Sequence, residues 1–235
     1  MFAIYKREMR SYFTGAIGYV FLVIFLAVGG ALFSYTNLFS MKVDVSTYYI
    51  YMMIFSAVVL PMLTMKSFSE ERKTRTEQLL LTSPVSLIAM VLAKFLAAYT
   101  IFAGALLFNS LSFLFLTRYA VVKGALLFGN LIALLLVGMT FIAIGLFVSS
   151  LTENQLAAAI GTVAILLFLL GIGLINSLLP SNYWLRYVFN GISIFTRFQT
   201  FTQGLFDISS LIYYLSVSAV FLFLTVRVYD RRRYH

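Results

Sequence analysis

Apolar residues run on along this chain without alternating. Stretches free of Asp, Glu, Lys and Arg cover 11–41, 45–65, 78–93, 95–117, 124–152, 154–185 and 208–226. Most reach the ~20 residues that cross a ~30 Å hydrocarbon layer, and 78–93 joins its successor across Lys94. Continuous apolar runs satisfy their backbone groups in lipid as helices, whereas a closed barrel would show strict alternation. The pattern therefore predicts an all-α membrane protein with six transmembrane helices, at about 15–38, 46–66, 86–117, 124–150, 155–178 and 208–228, forming a single transmembrane domain over 1–235. Ahead of the first span, residues 1–14 set Phe2, Tyr5, Met9, Tyr12 and Phe13 at helical spacing, with Lys6, Arg7, Glu8 and Arg10 on the other faces. That is the pattern of an amphipathic helix lying in the membrane interface. The apolar run behind it is too long for a cleavable signal peptide, so it is expected to stay as an anchor.

Composition agrees with the pattern: 62% of residues are hydrophobic and 11% charged, against roughly 25% charged in a soluble domain. A water-soluble globule is excluded. The net charge of +9 would suggest nucleic acid in a soluble protein, but here basic residues collect on one set of connections. Lys6, Arg7, Arg10, Lys66, Arg72, Lys73, Arg75, Arg227 and Arg231 to Arg233 fall on that side; Lys42, Arg118, Lys123, Arg186 and Arg197 fall on the other. The bias predicts a multi-pass protein of the cytoplasmic (inner) membrane with both termini cytoplasmic, and no nucleic-acid partner. Lys94 lies inside a stretch about 48 Å long as a helix, so it is expected to snorkel toward the headgroups.

Chemistry is hard to place on this chain. There is no Gly-Lys pair for a phosphate-binding loop, and Gly171-Ile-Gly173 lies inside an apolar run, where helix packing explains it. Without cysteine there is no thiolate site, and the single histidine, His235, is the last residue, so zinc and serine proteolysis are unavailable. Acidic residues sit in solvated segments apart from Asp207 and Glu153, which read as span boundaries, so no proton relay is laid out. No catalytic, cofactor-binding or metal-ligating residue is predicted. Asn109, Asn130, Gln155 and Asn176 are too scattered to define a substrate. Residues 179–207 form an extracytoplasmic segment rich in aromatics, including Trp184, Phe195, Phe198 and Phe201, expected at headgroup level as short helices tucked against the spans, with an anchor belt favoured over a substrate contact. Ala157, Ala158, Ala159 and Gly161 offer a small-residue face for a subunit contact or for packing within the chain.

The most informative segment is the loop over 67–84. Ser67 to Glu70 and Thr74 to Glu77 have capping-box spacing, Glu71 stands four before Arg75, and Pro84 ends whatever helix precedes it. A short, charged, capped helix is predicted. A solvated connection remains open on these grounds, yet a bare reversal needs only a few residues. The length favours a docking surface.

At this loop the chain resembles the ABC-2 superfamily of ABC-transporter permeases, through Phe68, Ser69, Glu71, Arg72, Thr76, Glu77, Leu79, Leu80, Pro84, Val85 and Ser86. Tyr5 to Phe13, and Phe195, Phe198, Phe201, Gly204 and Asp207 leading into Tyr213 to Leu215, are similar to the branch with gliding-motility and nitrous-oxide-reductase-maturation permeases. Gln203 stands where that branch commonly has a basic residue. The resemblance implies a type V exporter-like fold and a permease subunit without its own ATPase site. It also implies two copies of a separate ABC ATPase carrying ATP and Mg, and a second permease copy or a related sister. By the same resemblance, Phe68, Glu70, Glu71, Arg72, Arg75, Thr76, Glu77, Leu79 and Leu80 would couple to the ATPase, with Glu153 and Asn154 as a second contact. Rival readings are an ATPase-driven anchor that works on an extracytoplasmic accessory subunit without transport, and an autonomous carrier.

Overall fold

The computed structural model describes residues 2–75, 86–119, 123–178, 191, 193–204 and 207–233, with side chains left aside at 174–178 and 233. Helix α1 (Phe2–Thr14) stops at Gly15, whose extended backbone separates it from α2 (Ala16–Phe33). A wider π-helical turn, Ser34–Phe39, carries α2 to its far end. The chain returns through α3 (Val45–Lys73), then α4 (Leu87–Ser110) with a short continuation α5 (Ser112–Leu116). Helices α6 (Gly124–Leu151), α7 (Gln155–Leu178), α8 (Ile194–Thr202) and α9 (Ile208–Arg233) complete the order. Six of these are long and apolar enough to cross a membrane, and there is no strand among the described residues.

The ends follow from local chemistry. The Asp44 carboxylate accepts from the Thr47 N–H and opens α3, Ser86 does the same for α4 through Ala89, and Ser193 opens α8 through Thr196. Asp207 accepts from Ser209 and Ser210 at the head of α9, and those hydrogen bonds, that of the Ser210 hydroxyl foremost, hold its carboxyl below the usual range. The prediction that Asp207 marks a boundary agrees with this geometry. On α7, Asn154 accepts from the Leu156 N–H, which places it at the helix start.

Helices α3 and α6 pack against each other at the centre, and α9, α7, α4 and α8 close around α6. In their most apolar windows α6 is 67% buried and α3 61%, whereas α9 is 17% and α2 22% buried. The outer helices turn Val23, Phe168, Ile160 and Phe223 outward, an apolar surface that fits hydrocarbon. The interior is bound by interlocking rings: Phe33, Tyr48, Tyr49 and Phe113 pack edge to face or stacked within 5.1–6.2 Å.

Two sequence expectations change here. Phe198 and Phe201 are buried on the inner side of α8 against the bundle, and the Tyr214 hydroxyl donates to the Ile194 carbonyl at 2.9 Å, so these rings are core and not an anchor belt. Trp184 and the other aromatics of 179–190 lie outside the described residues. The small residues of α7 divide, with Ala158 buried within the chain and Ala157 exposed.

Close backbone approach depends on glycine at Gly29, where an added Cβ would overlap the Asn109 amide that donates to the Phe25 carbonyl. Gly30 next to it faces open space. Gly29→Ala is therefore expected to lower stability by about 1–3 kcal/mol through overpacking, while Gly30→Ala leaves it within about 0.5 kcal/mol. Thermal unfolding of the two variants in detergent checks the difference.

Candidate functional site

The ends of α3, α6 and α9 and the starts of α4 and α7 meet at one end of the bundle, where α1 also lies. Helix α3 is the hub. It continues through Lys73 instead of stopping near residue 66, because nothing between Met65 and Lys73 breaks it and its inner face stays covered. Ser67 is accordingly a buried mid-helix residue and not an N-cap, contrary to the capping-box reading. The helix ends at Thr74, whose N–H and hydroxyl both donate to the Glu70 carbonyl, and Arg75 follows in the left-handed region at φ 58°.

Consecutive residues on this end reach in different directions. Glu71 points inward. Its Oε1 accepts from Lys94 Nζ on α4 at 2.9 Å and from Arg7 Nη2 on α1 at 2.9 Å. Lys94 Nζ also reaches Glu8 Oε1 on α1 at 3.0 Å and the Ser67 carbonyl at 2.8 Å, so all three of its donors are used. The ammonium is 1% exposed and lies 5.1 Å from the centre of the Phe68 ring. Lys94 therefore does not snorkel. Its chain is enclosed by α1 and α3, and two carboxylates come to it. The i, i+4 pair of Glu71 with Arg75 gives way to these contacts, since Arg75 lies past the end of the helix.

Arg72 points the other way. Its Nε pairs with Glu153 at 2.9 Å and its Nη1 donates to the Leu151 carbonyl at 2.9 Å. Arg232 of α9 donates to the neighbouring Ser150 carbonyl at 2.7 Å. Two guanidinium groups thus satisfy carbonyls at the C-terminal end of α6, where cations are favoured. Ser149 adds a backbone clasp: its hydroxyl accepts from the Phe68 and Ser69 N–H groups, both at 3.2 Å, and donates to the Met65 carbonyl at 3.1 Å.

Helix α1 is tied down along one stripe. Tyr5 donates to Thr100 at 3.2 Å, Glu8 takes Lys94, and Tyr12 donates to the Leu63 carbonyl at 2.8 Å. These positions share a helix face, so Glu8 faces inward and not toward solvent with Lys6 and Arg10. Burial pushes the Tyr12 phenol above its ordinary pKa, which keeps it a neutral donor.

Of the residues expected to meet a partner, Phe68 is fully buried, with its ring 4.9 Å from Tyr229. Glu70 pairs with Lys66 at 3.2 Å and is partly exposed. Arg72 and Glu153 are brought together, Asn154 caps α7, and Lys73, Thr74 and Arg75 are exposed. Thr76, Glu77, Leu79 and Leu80 lie outside the described residues. Sequence reasoning missed Arg7, Glu8, Lys94 and Ser149 as members of this site. A lysine inside an otherwise uncharged span was the available signal; nothing local distinguished Glu8 or Ser149.

Among the described residues the chain is all helical, with six helices long and apolar enough to cross a membrane and a polar cluster gathered at one end. The family model described as ABC-2 family transporter protein matches residues 2–233, and the chain belongs to that family. Its members are generally permease subunits of ABC transporters and work with an ABC ATPase partner. No curated protein matches the chain.

Replacing Lys94 with methionine leaves Glu8 and Glu71 enclosed with Arg7 alone. The expected loss is about 3–5 kcal/mol of stability. Lys94→Met combined with Glu8→Gln and Glu71→Gln should recover much of it, measured as thermal unfolding of the detergent-solubilised protein. The exposed Arg72–Glu153 pair, by contrast, should show a coupling of no more than about 1 kcal/mol in a double-mutant cycle.

Proposed function

We propose that this chain is the membrane subunit of an ATP-driven ABC complex and that a separate cassette ATPase docks on the end bearing both termini, on the cytoplasmic side of the inner membrane. The observation that supports this reading is the last stretch of α3. It runs on as one helix past the apolar part of its span and is held from opposite sides by Glu71 and Arg72. A push on that helix end therefore moves α1 and α4 through Glu71, and α6 and α9 through Arg72 and Ser149. A lever so anchored transmits force from a partner, which a loop tethered only by its ends would absorb.

The docking surface is then narrower than the sequence implies. Glu71 and Phe68 serve the lever from inside, and Lys73, Thr74 and Arg75 present its tip. ATP and Mg belong to the ATPase, of which two copies would serve two permease chains, either identical or related. The stroke drives movement of a substrate across the membrane; work on an extracytoplasmic accessory subunit would use the same lever.

Lys73→Glu combined with Arg75→Glu tests the assignment, because both side chains are exposed and have no ion-pair partner among the described residues. The expected result is unchanged insertion and thermal stability, with co-purification of the cassette ATPase reduced at least about tenfold, or ~1.4 kcal/mol of binding. Undiminished association and undiminished ATP-dependent activity in proteoliposomes would remove the lever tip from the interface.

A further inference from the structure

A cleft of about 690 Å³ opens beside the Lys94 cluster. Its walls are Arg7, Glu8, Ser11 and Tyr12 of α1, the Gly15–Ile17 corner, and Lys66, Ser67, Glu70, Glu71 and Thr74 of α3, with Lys94 among the lining groups. Glu8 and Glu71 are neutralised by Lys94 and Arg7, so they do not repel an incoming anion. What is left over is mostly donor capacity. Arg7 uses only Nη2 on the two carboxylates, and its Nε and Nη1 meet no partner among the described residues. Among the described residues Lys66 pairs with Glu70, through a part-exposed pair that is worth little and opens readily. Ser67 is a buried residue of the cleft wall, and its hydroxyl has no hydrogen-bond partner among the described residues. A buried hydroxyl without a partner is costly, and a bound acceptor would satisfy it.

The cleft also has a defined depth. Gly15 and Ile17, which line the cleft, are where the interfacial stretch ends and the apolar span beginning at Ala16 starts, so this part of its wall falls at the level where headgroups give way to acyl chains. Guanidinium, ammonium and hydroxyl donors on one side match phosphate oxygens. The Glu70 carboxylate, which lines the cleft from α3 and is released from Lys66 when phosphate takes that lysine, matches an amine. We infer that this cleft binds the headgroup of an aminophospholipid, with its phosphate on Arg7, Lys66 and Ser67 and its ammonium on Glu70. A lipid seated there contacts α1 and the α3 lever together. The inference stands on the cleft alone and does not require the ATPase reading.

The full-length protein, exchanged into nanodiscs of phosphatidylethanolamine, phosphatidylcholine or phosphatidylglycerol and then released into detergent, can be assayed for retained lipid by native mass spectrometry. Phosphatidylethanolamine should be retained selectively. Lys66→Ala with Ser67→Ala should reduce that retention by at least about tenfold, the loss expected for one charge-assisted contact. Arg118→Ala, at the opposite end of the bundle, should leave it unchanged, and thermal unfolding establishes that each variant is folded. If the double variant does not fold, Lys66→Gln alone, at a partly exposed position, must show the loss. Equal retention in wild type and variant, or equal retention of all three lipids, would overturn the inference. Displacement of the lipid by inorganic phosphate or by soluble glycerophosphoethanolamine would assign the cleft to a soluble phosphate compound and overturn the membrane source.

Discussion

A single buried ammonium organises one end of this protein. Lys94 sits within α4, below the Ser86 cap, on a face covered by α1 and α3, where water cannot solvate it. An uncompensated charge there would cost several kcal/mol. The cost is offset by a carboxylate from α1 and a carboxylate and a carbonyl from α3, which makes the ion a junction between α1, α3 and α4. Arg7 closes the cluster by bridging Glu8 and Glu71, so that neither acid is held by Lys94 alone.

The same end of α3 is fastened on its other side by interactions of a different type. Arg72, Arg232 and Ser149 act on backbone groups of α6 and α3, which cannot be altered without unwinding a helix. Side-chain ion pairs hold one flank, and backbone hydrogen bonds hold the other. The exposed Arg72–Glu153 pair adds little energy but fixes the direction in which the α6–α7 connection lies. A force applied at Thr74 therefore meets a braced helix, and motion there is shared by the bundle.

Much of the architecture was legible in the residues because lipid imposes a simple rule. Every buried backbone group must be paired internally, so long uncharged runs become helices, and the six predicted spans coincide with α2, α3, α4 with α5, α6, α7 and α9 within a few residues except at the ends of α3 and α9. The α3 exception is instructive. The Lys, Arg and Glu residues after Met65 read as a separate short capped helix within a connection, yet α3 itself carries on, since charged side chains paired to neighbours are compatible with helical backbone. The proposed docking segment was singled out through residue identities over 68–86, whereas the contacts of its described residues were not, because Glu8, Lys94 and Ser149 are far from them in sequence.

By itself, the order of residues determined that the chain lives in lipid, how often it crosses, and that it has neither a thiolate site nor a Gly-Lys phosphate loop, because hydrophobic run length and residue type are local properties. Tertiary structure alone decided which charges face one another. Snorkelling and burial differ for Lys94 only in whether α1 and α3 close over it, and Glu71 becomes an internal strut instead of an outward contact because α4 presents a cation at that depth. Ion pairing is set by the meeting of distant helices, and no spacing along the chain encodes that meeting.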